Sequence, residues 1–435
     1  MTDLDAADFF RGNELIDDPY PYYEHLRTQC PVSREPHHEV LMVTGYDEAV
    51  AIYNDPATFS SCNSVTGPFP GFPVPLTGPD IAAGDVRALI DAHRDELPFS
   101  DQLPTFDPPK HTDHRALLMR LITPKRLKEN EEFMWRLADR QIDEFLASSE
   151  EEAGDREFIA RYAQPFAMLV VADLLGVPER DHELFREGLA VGRKHTGSVG
   201  SLDDDGLKHS PLEFLYEQFT RYIENRRREP RDDVMTGLAS AKFPDGSTPD
   251  VIDVVRIAAN LFAAGQETSV RMLAAAVQLI AERPDLQQQL RTERSLVPNF
   301  VEETLRIESP VKGDFRLSRV AATVGGVDVA AGTTLMLVNA AANRDPRRYE
   351  CPADFDATRA NARTHLAFGH GAHTCPGAPL ARAEGRVSIE RLLDRTRGIR
   401  IDEAVHGPEG ARRYEYAPTY ILRGLRRLHL AIDPA

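Results

Sequence analysis

The sequence predicts a mainly helical fold with a smaller β region, and three observations carry this prediction. Residues 109–228 repeat apolar side chains at helical spacing. Residues 251–282 form an Ala-rich and almost continuously apolar helical pattern, which opens after Pro249-Asp250 and stops at Pro284. Residues 316–338 instead alternate between apolar and polar side chains and contain several glycines, which is typical of strands joined by turns.

The remaining elements follow in chain order. A short apolar run at 40–43 predicts a strand, and 46–54 predict a helix entered from a turn. Residues 67–79 hold five prolines and three glycines, which predicts a long irregular loop of the kind used for binding. Residues 299–308 predict a helix stopped by Pro310, and 376–395 predict a last helix before short β segments.

The expected organisation is one domain over residues 1–435. Its helical part covers about 109–310 and 376–397. Its β-rich part covers about 30–60, 316–338 and 398–435.

Charge and cysteine usage exclude several classes of protein. The chain has 51 Lys and Arg against 69 Asp and Glu, a net charge of −18, which argues against a partner such as nucleic acid or an anionic membrane. The four cysteines are far apart and form no CxxC pair, which indicates a reducing compartment. No export signal and no membrane-spanning stretch is visible, so we expect a cytoplasmic protein.

One segment combines a cysteine, two histidines and three glycines and is therefore the strongest candidate for a functional site. It reads Phe368-Gly369-His370-Gly371-Ala372-His373-Thr374-Cys375-Pro376-Gly377. Cys375 stands just before a predicted helix, and a helix N-terminus is expected to lower the pKa of a thiol. Three interpretations compete: a buried structural cysteine, a zinc site of His370, His373 and Cys375, and a thiolate ligand of haem iron. The zinc interpretation lacks a second pair of ligands.

The pattern Phe-Gly-x-Gly-x-His-x-Cys-x-Gly, followed by Leu380-Ala381-Arg382, resembles the haem-binding loop of the cytochrome P-450 family, of the bacterial type. The resemblance extends from about Asp17 to the C-terminus. It implies the P-450 fold, a triangular helical prism that holds haem b between the long central helix and the helix after the cysteine loop. Cys375 would be the axial iron ligand, and the other loop residues implied to contact the cofactor are Phe368, Gly369, His373 and Gly377.

Pro376 directly follows the implied ligand and has no N–H group. The backbone donors to the cysteine sulfur would then start at Gly377 and Ala378. Fewer donors leave more charge on sulfur, which predicts a lower iron potential.

The long helix carries Ala264-Gly265-Gln266-Glu267-Thr268. A Thr in a buried helix usually bonds back to a carbonyl, and Gly265 costs about 1 kcal/mol relative to Ala in a helix interior. The resemblance implies that Glu267 and Thr268 are the acid–alcohol pair of catalysis beside the oxygen site. Ala264 and Gly265 would contact the haem from the same helix face.

The resemblance also assigns residues that by themselves are typical of helix surfaces. His111 and Arg115 lie four apart on one helix face and, with Arg316 and His373, would bind the haem propionates, since a desolvated carboxylate needs charge-assisted hydrogen bonds.

Glu303 and Arg306 are three residues apart, and as a surface pair they would contribute only about 0.2–0.5 kcal/mol. The resemblance implies that they form a buried network with Arg359 that braces the cysteine loop.

The implied function is a haem-thiolate monooxygenase that inserts one atom of dioxygen into a hydrophobic small molecule. Electrons would come from NAD(P)H through a ferredoxin and a ferredoxin reductase, because the chain leaves no room for a flavin or ferredoxin module. The basic run Lys125-Arg126-Leu127-Lys128, with Arg115 and Arg382, is a candidate docking patch for an acidic ferredoxin, and a solvated helix end is an equal alternative.

Family topology would line the substrate pocket with apolar residues, and Lys312 and Asp314 would recognise a polar end of the substrate. A place of Asp314 near a haem propionate is an equal alternative. The alternatives are a non-catalytic haem or ligand-binding protein and a peroxide-driven haem-thiolate enzyme. The pocket candidates are Phe69, Phe72, Leu261, Ala264, Val311, Phe315 and Ile421.

Overall fold

The computed structural model describes residues 3–76, 84–147, 156–195 and 212–435, and the backbone alone for 189–195. The predicted mainly helical fold with small sheets is confirmed. Residues 77–79 of the predicted proline-rich loop, and 148–155 and 196–211 of the predicted helical run, lie outside the described residues.

The helices occupy most of the described chain. They are α1 (Tyr20–Gln29), α2 (Tyr46–Tyr53), α3 (Arg87–His93), α4 (Lys110–Leu118), α5 (Pro124–Ala147), α6 (Gln164–Leu175), α7 (His182–His195), α8 (Glu213–Arg228), α9 (Val234–Ala239), α10 (Val251–Glu282), α11 (Pro284–Thr292), α12 (Val297–Ile307), α13 (Asn339–Ala342), α14 (Ala378–Arg395) and α15 (Glu403–His406). A π-helical turn, Ile159–Ala163, runs directly into α6. None of the described helices is long and apolar enough to cross a membrane.

The strands are short and form small sheets. They are β1 (Val32–Arg34), β2 (Leu41–Val43), β3 (Phe59–Ser60), β4 (Asp314–Ser318), β5 (Ala322–Val324), β6 (Val327–Val329), β7 (Thr334–Leu337), β8 (Thr396–Ile401) and β9 (Leu430–Pro434). The largest sheet has the order β1-β2-β7-β4-β3, in which only β2 and β7 are parallel. The pairs β5-β6 and β8-β9 are separate antiparallel ribbons.

Helix α10 is the centre of the fold, and its predicted bounds, 251–282, are confirmed. It packs against α6, α8 and α14, which explains why apolar residues occupy most of its circumference. Gly265 permits a close approach of α6, because a Cβ atom there would lie 3.0 Å from Cγ2 of Val171 on that helix. The glycine in this helix interior is therefore explained by helix packing.

Two predicted helix boundaries shift in the structure. Helix α12 begins at Val297, two residues before the predicted start, because Pro298 fits the first helical turn. Helix α14 begins at Ala378 rather than at Pro376, and Gly377 is its N-cap residue. Pro376 therefore belongs to the loop and not to the helix.

A second core lies beside the large sheet and is built from aromatic rings, which we call the aromatic cluster: Phe9, Phe10, Phe69, Phe315 and Tyr420. The ring centroid of Phe10 lies 5.3 Å from that of Tyr420 and 6.2 Å from those of Phe69 and Phe315. The cluster joins the N-terminal segment, the proline-rich loop, β4 and the C-terminal region, all of which are far apart in sequence.

Candidate haem site

The cysteine loop folds tightly against α2. Gly369 and Gly371 have positive φ angles of 65° and 67°, and a Cβ atom on Gly371 would lie 2.5 Å from the carbonyl oxygen of Tyr53. Only glycine fits this conformation and this contact. The loop is closed by a hydrogen bond of 2.8 Å from the N–H of Cys375 to the carbonyl of Phe368.

The Sγ atom of Cys375 receives hydrogen bonds from the backbone N–H groups of Gly377 and Ala378. These are the two donors that the sequence predicts once Pro376 is excluded. The prediction that the thiol pKa is lowered is wrong for the protein without a bound metal. Burial raises the pKa of Cys375, and the two N–H groups and the Arg115 charge only partly oppose this rise. Coordination to a metal ion would deprotonate this thiol regardless of that shift.

A short face of α10 is accessible although most of the helix is buried. Ala264 is exposed although the neighbouring Leu261 and Phe262 are buried, and Thr268 is partly exposed. The Thr268 hydroxyl donates to the carbonyl of Ala264 over 2.8 Å, the backbone bond expected of a Thr in a helix. Gly265 does not belong to this open face, because a side chain at this position would point towards α6.

Glu267 lies next to Thr268 but faces another group. Its Oε1 accepts a hydrogen bond of 2.5 Å from Nη2 of Arg271, one turn further along α10. Arg271 was not identified from the sequence, although its spacing of four residues from Glu267 is a signal of an ion pair on a helix.

The structure brings His111, Arg115, Arg316 and His373 together. The rings of His111 and His373 lie 3.9 Å apart between centroids, and Arg115 donates to the carbonyl of Thr374 over 2.6 Å. Arg316 is 3% exposed and lies 3.5 Å from a carboxylate oxygen of Asp314. Helix α4, strand β4 and the cysteine loop thus supply one cationic cluster.

Burial keeps both imidazoles of this cluster neutral. Burial and the Arg115 charge lower the pKa of His111 to about 4, and burial and the Arg316 charge lower the pKa of His373 to about 3. At neutral pH each ring therefore offers one N–H donor beside two permanent guanidinium charges. This donor set matches two carboxylates that have lost their water.

Asp107 was missed by the sequence analysis of this site. It is 5% exposed and accepts hydrogen bonds from the Ser60 hydroxyl at 2.6 Å and the Ser61 N–H at 2.8 Å. The Ser61 hydroxyl in turn lies 3.2 Å from Nε2 of His373. Asp107 therefore orders the strand end that contacts the cluster, and no local motif in the sequence marks it.

Glu303, Arg306 and Arg359 form a buried network. Both carboxylate oxygens of Glu303 accept from Arg306 at 2.7 Å, and Oε1 also accepts from Arg359 at 2.9 Å. Glu303 and Arg306 are 0% exposed, so this is not a surface pair. The two arginines donate to backbone carbonyls of residues 343–354.

The brace of the cysteine loop is a neighbouring residue instead. Glu302, which the sequence analysis missed, accepts from Arg382 at 2.6 Å and lies 3.1 Å from Nε2 of His365. His365 precedes the loop and Arg382 follows it. The expectation that the Glu303 network braces the loop is corrected accordingly, because that network holds the preceding segment.

The predicted pocket residues do not form one packed group. Phe69, Val311, Phe315 and Ile421 belong to the aromatic cluster or pack against it. Leu261 belongs to the main helical core, and Phe72 packs on a third group around Cys62 and Val86.

The two polar residues predicted for the pocket also lie in different surroundings. Asp314 accepts from the Tyr53 hydroxyl at 3.1 Å and faces Arg316, so it belongs to the cationic cluster. Lys312 is buried elsewhere.

The zinc interpretation finds no support in the geometry. His370 is directed to Oδ1 of Asn54 at 3.2 Å, whereas His373 stacks on His111. Within the described ranges, no group of three or more His, Cys, Asp or Glu side chains is arranged to hold a metal ion.

The basic run on α5 is only partly available to a partner. Lys125 and Lys128 are exposed. Arg126 is paired with Asp173 at 3.0 Å, and Arg382 is engaged by Glu302.

The residues present fit a haem. A partly buried cysteine receives two N–H donors, Ala264 is exposed within a mostly buried helix, and a desolvated cluster of two arginines and two neutral histidines provides partners for two propionates. Fold and site thus define a haem-thiolate protein, with a helical scaffold and a single cysteine ligand.

Comparisons with known proteins agree with this class. The family model "Cytochrome P-450" matches residues 208–397. Cytochrome P-450 144 of Mycobacterium tuberculosis is 34% identical over 444 aligned positions, which cover 100% of this chain and 93% of that protein. 6-Deoxyerythronolide B hydroxylase of Saccharopolyspora erythraea is 29% identical, with 96% of each chain covered.

The solved structure of cytochrome P-450 CYP150A6 of Mycobacterium marinum, in its substrate-free form, superposes with a TM-score of 0.90 at 53% identity and covers 99% of this chain and 100% of that one. The chain belongs to the cytochrome P-450 family and has its fold. It is a haem-thiolate monooxygenase with haem b as cofactor, and its electrons come from NAD(P)H through redox partners.

Proposed function

We propose that this monooxygenase receives its electrons from a ferredoxin, reduced by a ferredoxin reductase, and hydroxylates a hydrophobic small molecule in the cytoplasm. The observation that carries the proposal is the open face of α10, where Ala264 and Thr268 are accessible within a helix that is buried over most of its length. When bound, the haem activates dioxygen and transfers one oxygen atom to the substrate.

Each site residue has a task in this proposal. Cys375 would hold the haem iron through its sulfur, and the N–H groups of Gly377 and Ala378 would limit the charge on that sulfur. His111, Arg115, Arg316 and His373 bind the propionates. Phe368, Gly369 and Ala264 would shape the cofactor slot, while Gly265 lets α6 pack against this stretch of α10.

Thr268 and Glu267 are proposed to move protons. The Thr268 hydroxyl is held by the Ala264 carbonyl, and rotation about its side-chain bond would turn the O–H towards the open face. Glu267 must leave Arg271 to pass a proton to Thr268. Between turnovers, the guanidinium of Arg271 holds this carboxylate at 2.5 Å.

An acidic ferredoxin is the proposed partner. Lys125 and Lys128 are exposed near the start of α5 in a protein whose net charge is −18, so a local positive field there would orient an acidic protein. The same charge would repel an acidic partner over most of the remaining surface.

A hydrophobic substrate is supported by the apolar residues proposed for the pocket. Phe69, Val311, Phe315 and Ile421 lie in or against the aromatic cluster, while Leu261 and Ala264 lie on α10. Phe72 is the remaining candidate, and it lies in a different hydrophobic group. The relative from Saccharopolyspora is named for hydroxylation of 6-deoxyerythronolide B, which shows the reaction type in that protein.

The first test is an absorption spectrum of the purified, reduced holoprotein under carbon monoxide. A strongly red-shifted Soret band is expected from a thiolate opposite the carbon monoxide, and Cys375→Ala should lose it. Cys30→Ala is the matched control, because Cys30 is also a free, partly buried cysteine but lies outside the site, and it should keep the band. A histidine-type band in the unaltered protein would overturn the assignment of Cys375.

The partner is tested by stopped-flow reduction with a ferredoxin and its reductase. The double variant Lys125→Glu, Lys128→Glu should slow reduction most strongly at low salt, because reversed charges oppose an acidic ferredoxin. Lys242→Glu, at another exposed lysine, should leave the rate unchanged. Equal rates in all three proteins would remove the proposed docking patch, and product formation from peroxide alone would favour the peroxide-driven alternative.

A further inference from the structure

Lys312 lies inside the protein and has no ionic partner. Its residue is 5% exposed, and within the described parts of the chain its ammonium group forms no ion pair and no hydrogen bond. Its backbone is held firmly, because the N–H donates to the Ile421 carbonyl at 2.6 Å and the carbonyl accepts from the Ala340 N–H at 2.9 Å. The side chain is thus placed by a rigid segment and not by a loop end.

The charged groups that act on Lys312 are both cations. They are Arg271 on α10 and Arg423, which lies between the bridged residues Tyr416 and Leu425. Burial, with these two arginines, lowers the pKa of Lys312 to about 7.

Each of the two arginines already has a carboxylate partner. Arg271 holds Glu267 at 2.5 Å, and Arg423 holds Glu308 at 2.8 Å. Lys312 is therefore the unmatched positive charge of this region.

The ammonium group lies beside the aromatic cluster. Its Nζ lies 5.5 Å from the centroid of the Phe9 ring, which belongs to the aromatic cluster. Val311, the preceding residue, is partly exposed and packs against the same cluster. Ile421, whose carbonyl holds the Lys312 N–H, belongs to the same hydrophobic core as this cluster.

The contact with Phe9 does not account for this lysine. A single cation–π contact at this distance offsets only part of the cost of taking an ammonium group out of water. A structural lysine in such a place normally pairs with a carboxylate, as the two neighbouring arginines do. A single negative charge beside the ammonium group would balance it.

We propose that Lys312 binds the carboxylate of the substrate, which would be an amphipathic molecule with an apolar body and a single anionic end. This inference rests on the proposed function, because it names the class of molecule that enters that pocket. One ammonium group between two neutralised arginines matches one carboxylate better than a doubly charged phosphate. The pair would form charge-assisted hydrogen bonds shielded from water, which are stronger than neutral ones.

The test compares two ligands that differ only in the end group, dodecanoate and dodecanol, by the spin-state shift of the ferric holoprotein at pH 6.5. The unaltered protein should bind dodecanoate at least about tenfold more tightly than dodecanol, as expected for a buried hydrogen bond to a charged group. Lys312→Met should lose this preference while its affinity for dodecanol stays equal or rises. Lys242→Met is the matched control at an exposed lysine and should keep the preference.

The comparison of the two ligands in the unaltered protein needs no variant, so the inference can be tested even if Lys312→Met does not fold. Equal affinity for both ligands there would overturn it, as would an undiminished preference in Lys312→Met or in Lys312→Gln. The proposed function fails separately, through loss of the thiolate-type carbon monoxide band. A protein with that band but without carboxylate preference would keep its function and lose this inference.

Discussion

Glu302 and Arg382 form an ion pair in which Oε1 of Glu302 lies 2.6 Å from Nε of Arg382. The pair ties α12 to the first turns of α14, the helix that follows Cys375. The second carboxylate oxygen lies 3.1 Å from Nε2 of His365, and the Arg382 guanidinium lies 4.8 Å from the centroid of the Phe368 ring. One carboxylate therefore holds the chain on both sides of the cysteine loop.

Glu302→Gln is expected to destabilise the protein by about 1–3 kcal/mol, because it removes charge-assisted hydrogen bonds from a nearly buried group. Thermal unfolding of the holoprotein at pH 7, with haem release followed by absorbance, measures this. The exposed Glu132→Gln is the control and should change little. An unchanged unfolding temperature in Glu302→Gln would contradict the bracing role.

The same variant has a predictable pH dependence. Burial alone would raise the pKa of Glu302, but hydrogen bonds from His365 and Arg382 and their charges outweigh it, and the net pKa is lowered. Its stabilisation is thus fully present above the unfolded-state pKa of about 4.3 and is lost as the pH falls through the lower folded-state pKa. The difference between the two proteins should shrink below pH 4.

Pro376→Ala should raise the iron reduction potential. Alanine restores a backbone N–H directly after Cys375, where the unaltered loop offers donors only from Gly377 and Ala378. An added donor draws charge from the sulfur and favours the reduced iron. Potentiometric titration followed by absorbance measures the shift, and a potential that stays the same or falls would refute the explanation.

Thr268→Ala should keep substrate binding but uncouple turnover, so that NADH oxidation exceeds product formation several-fold. The reason is the loss of the hydroxyl that donates to Ala264 at 2.8 Å on the open face of α10. Thr268→Ser retains a hydroxyl and should restore most of the coupling. Equal ratios of product to NADH in all three proteins would exclude Thr268 from proton delivery.

Binding of a carboxylate substrate should weaken as the pH rises. Burial and the nearby Arg271 and Arg423 lower the pKa of Lys312 to about 7, and both arginines stay charged throughout. Only the protonated amine attracts the anion, so the affinity for dodecanoate should fall about tenfold between pH 6 and pH 8. The affinity for dodecanol should stay constant, and a parallel fall for both ligands would point to another titrating group.

The local features were predictable because they depend on residues close in sequence. The period of apolar residues defines α10, including both of its ends. The glycines of the cysteine loop mark backbone positions that other residues avoid, and the lack of an N–H on Pro376 identifies the two donors to sulfur. Boundaries were less accurate where proline permits a first helical turn, as at the start of α12.

The sequence by itself determined the helical class, the cysteine loop and the family to which the chain belongs, since period, turn chemistry and motif spacing are local properties. Tertiary structure alone decided that Glu302 and not Glu303 braces the loop, that burial outweighs the helix N-terminus at Cys375, and that the pocket candidates fall into separate hydrophobic groups. Pairing and desolvation arise only when segments distant in sequence pack together. Lys312 is the clearest case, because only the fold buries its ammonium group at a place where none of the described residues pairs with it.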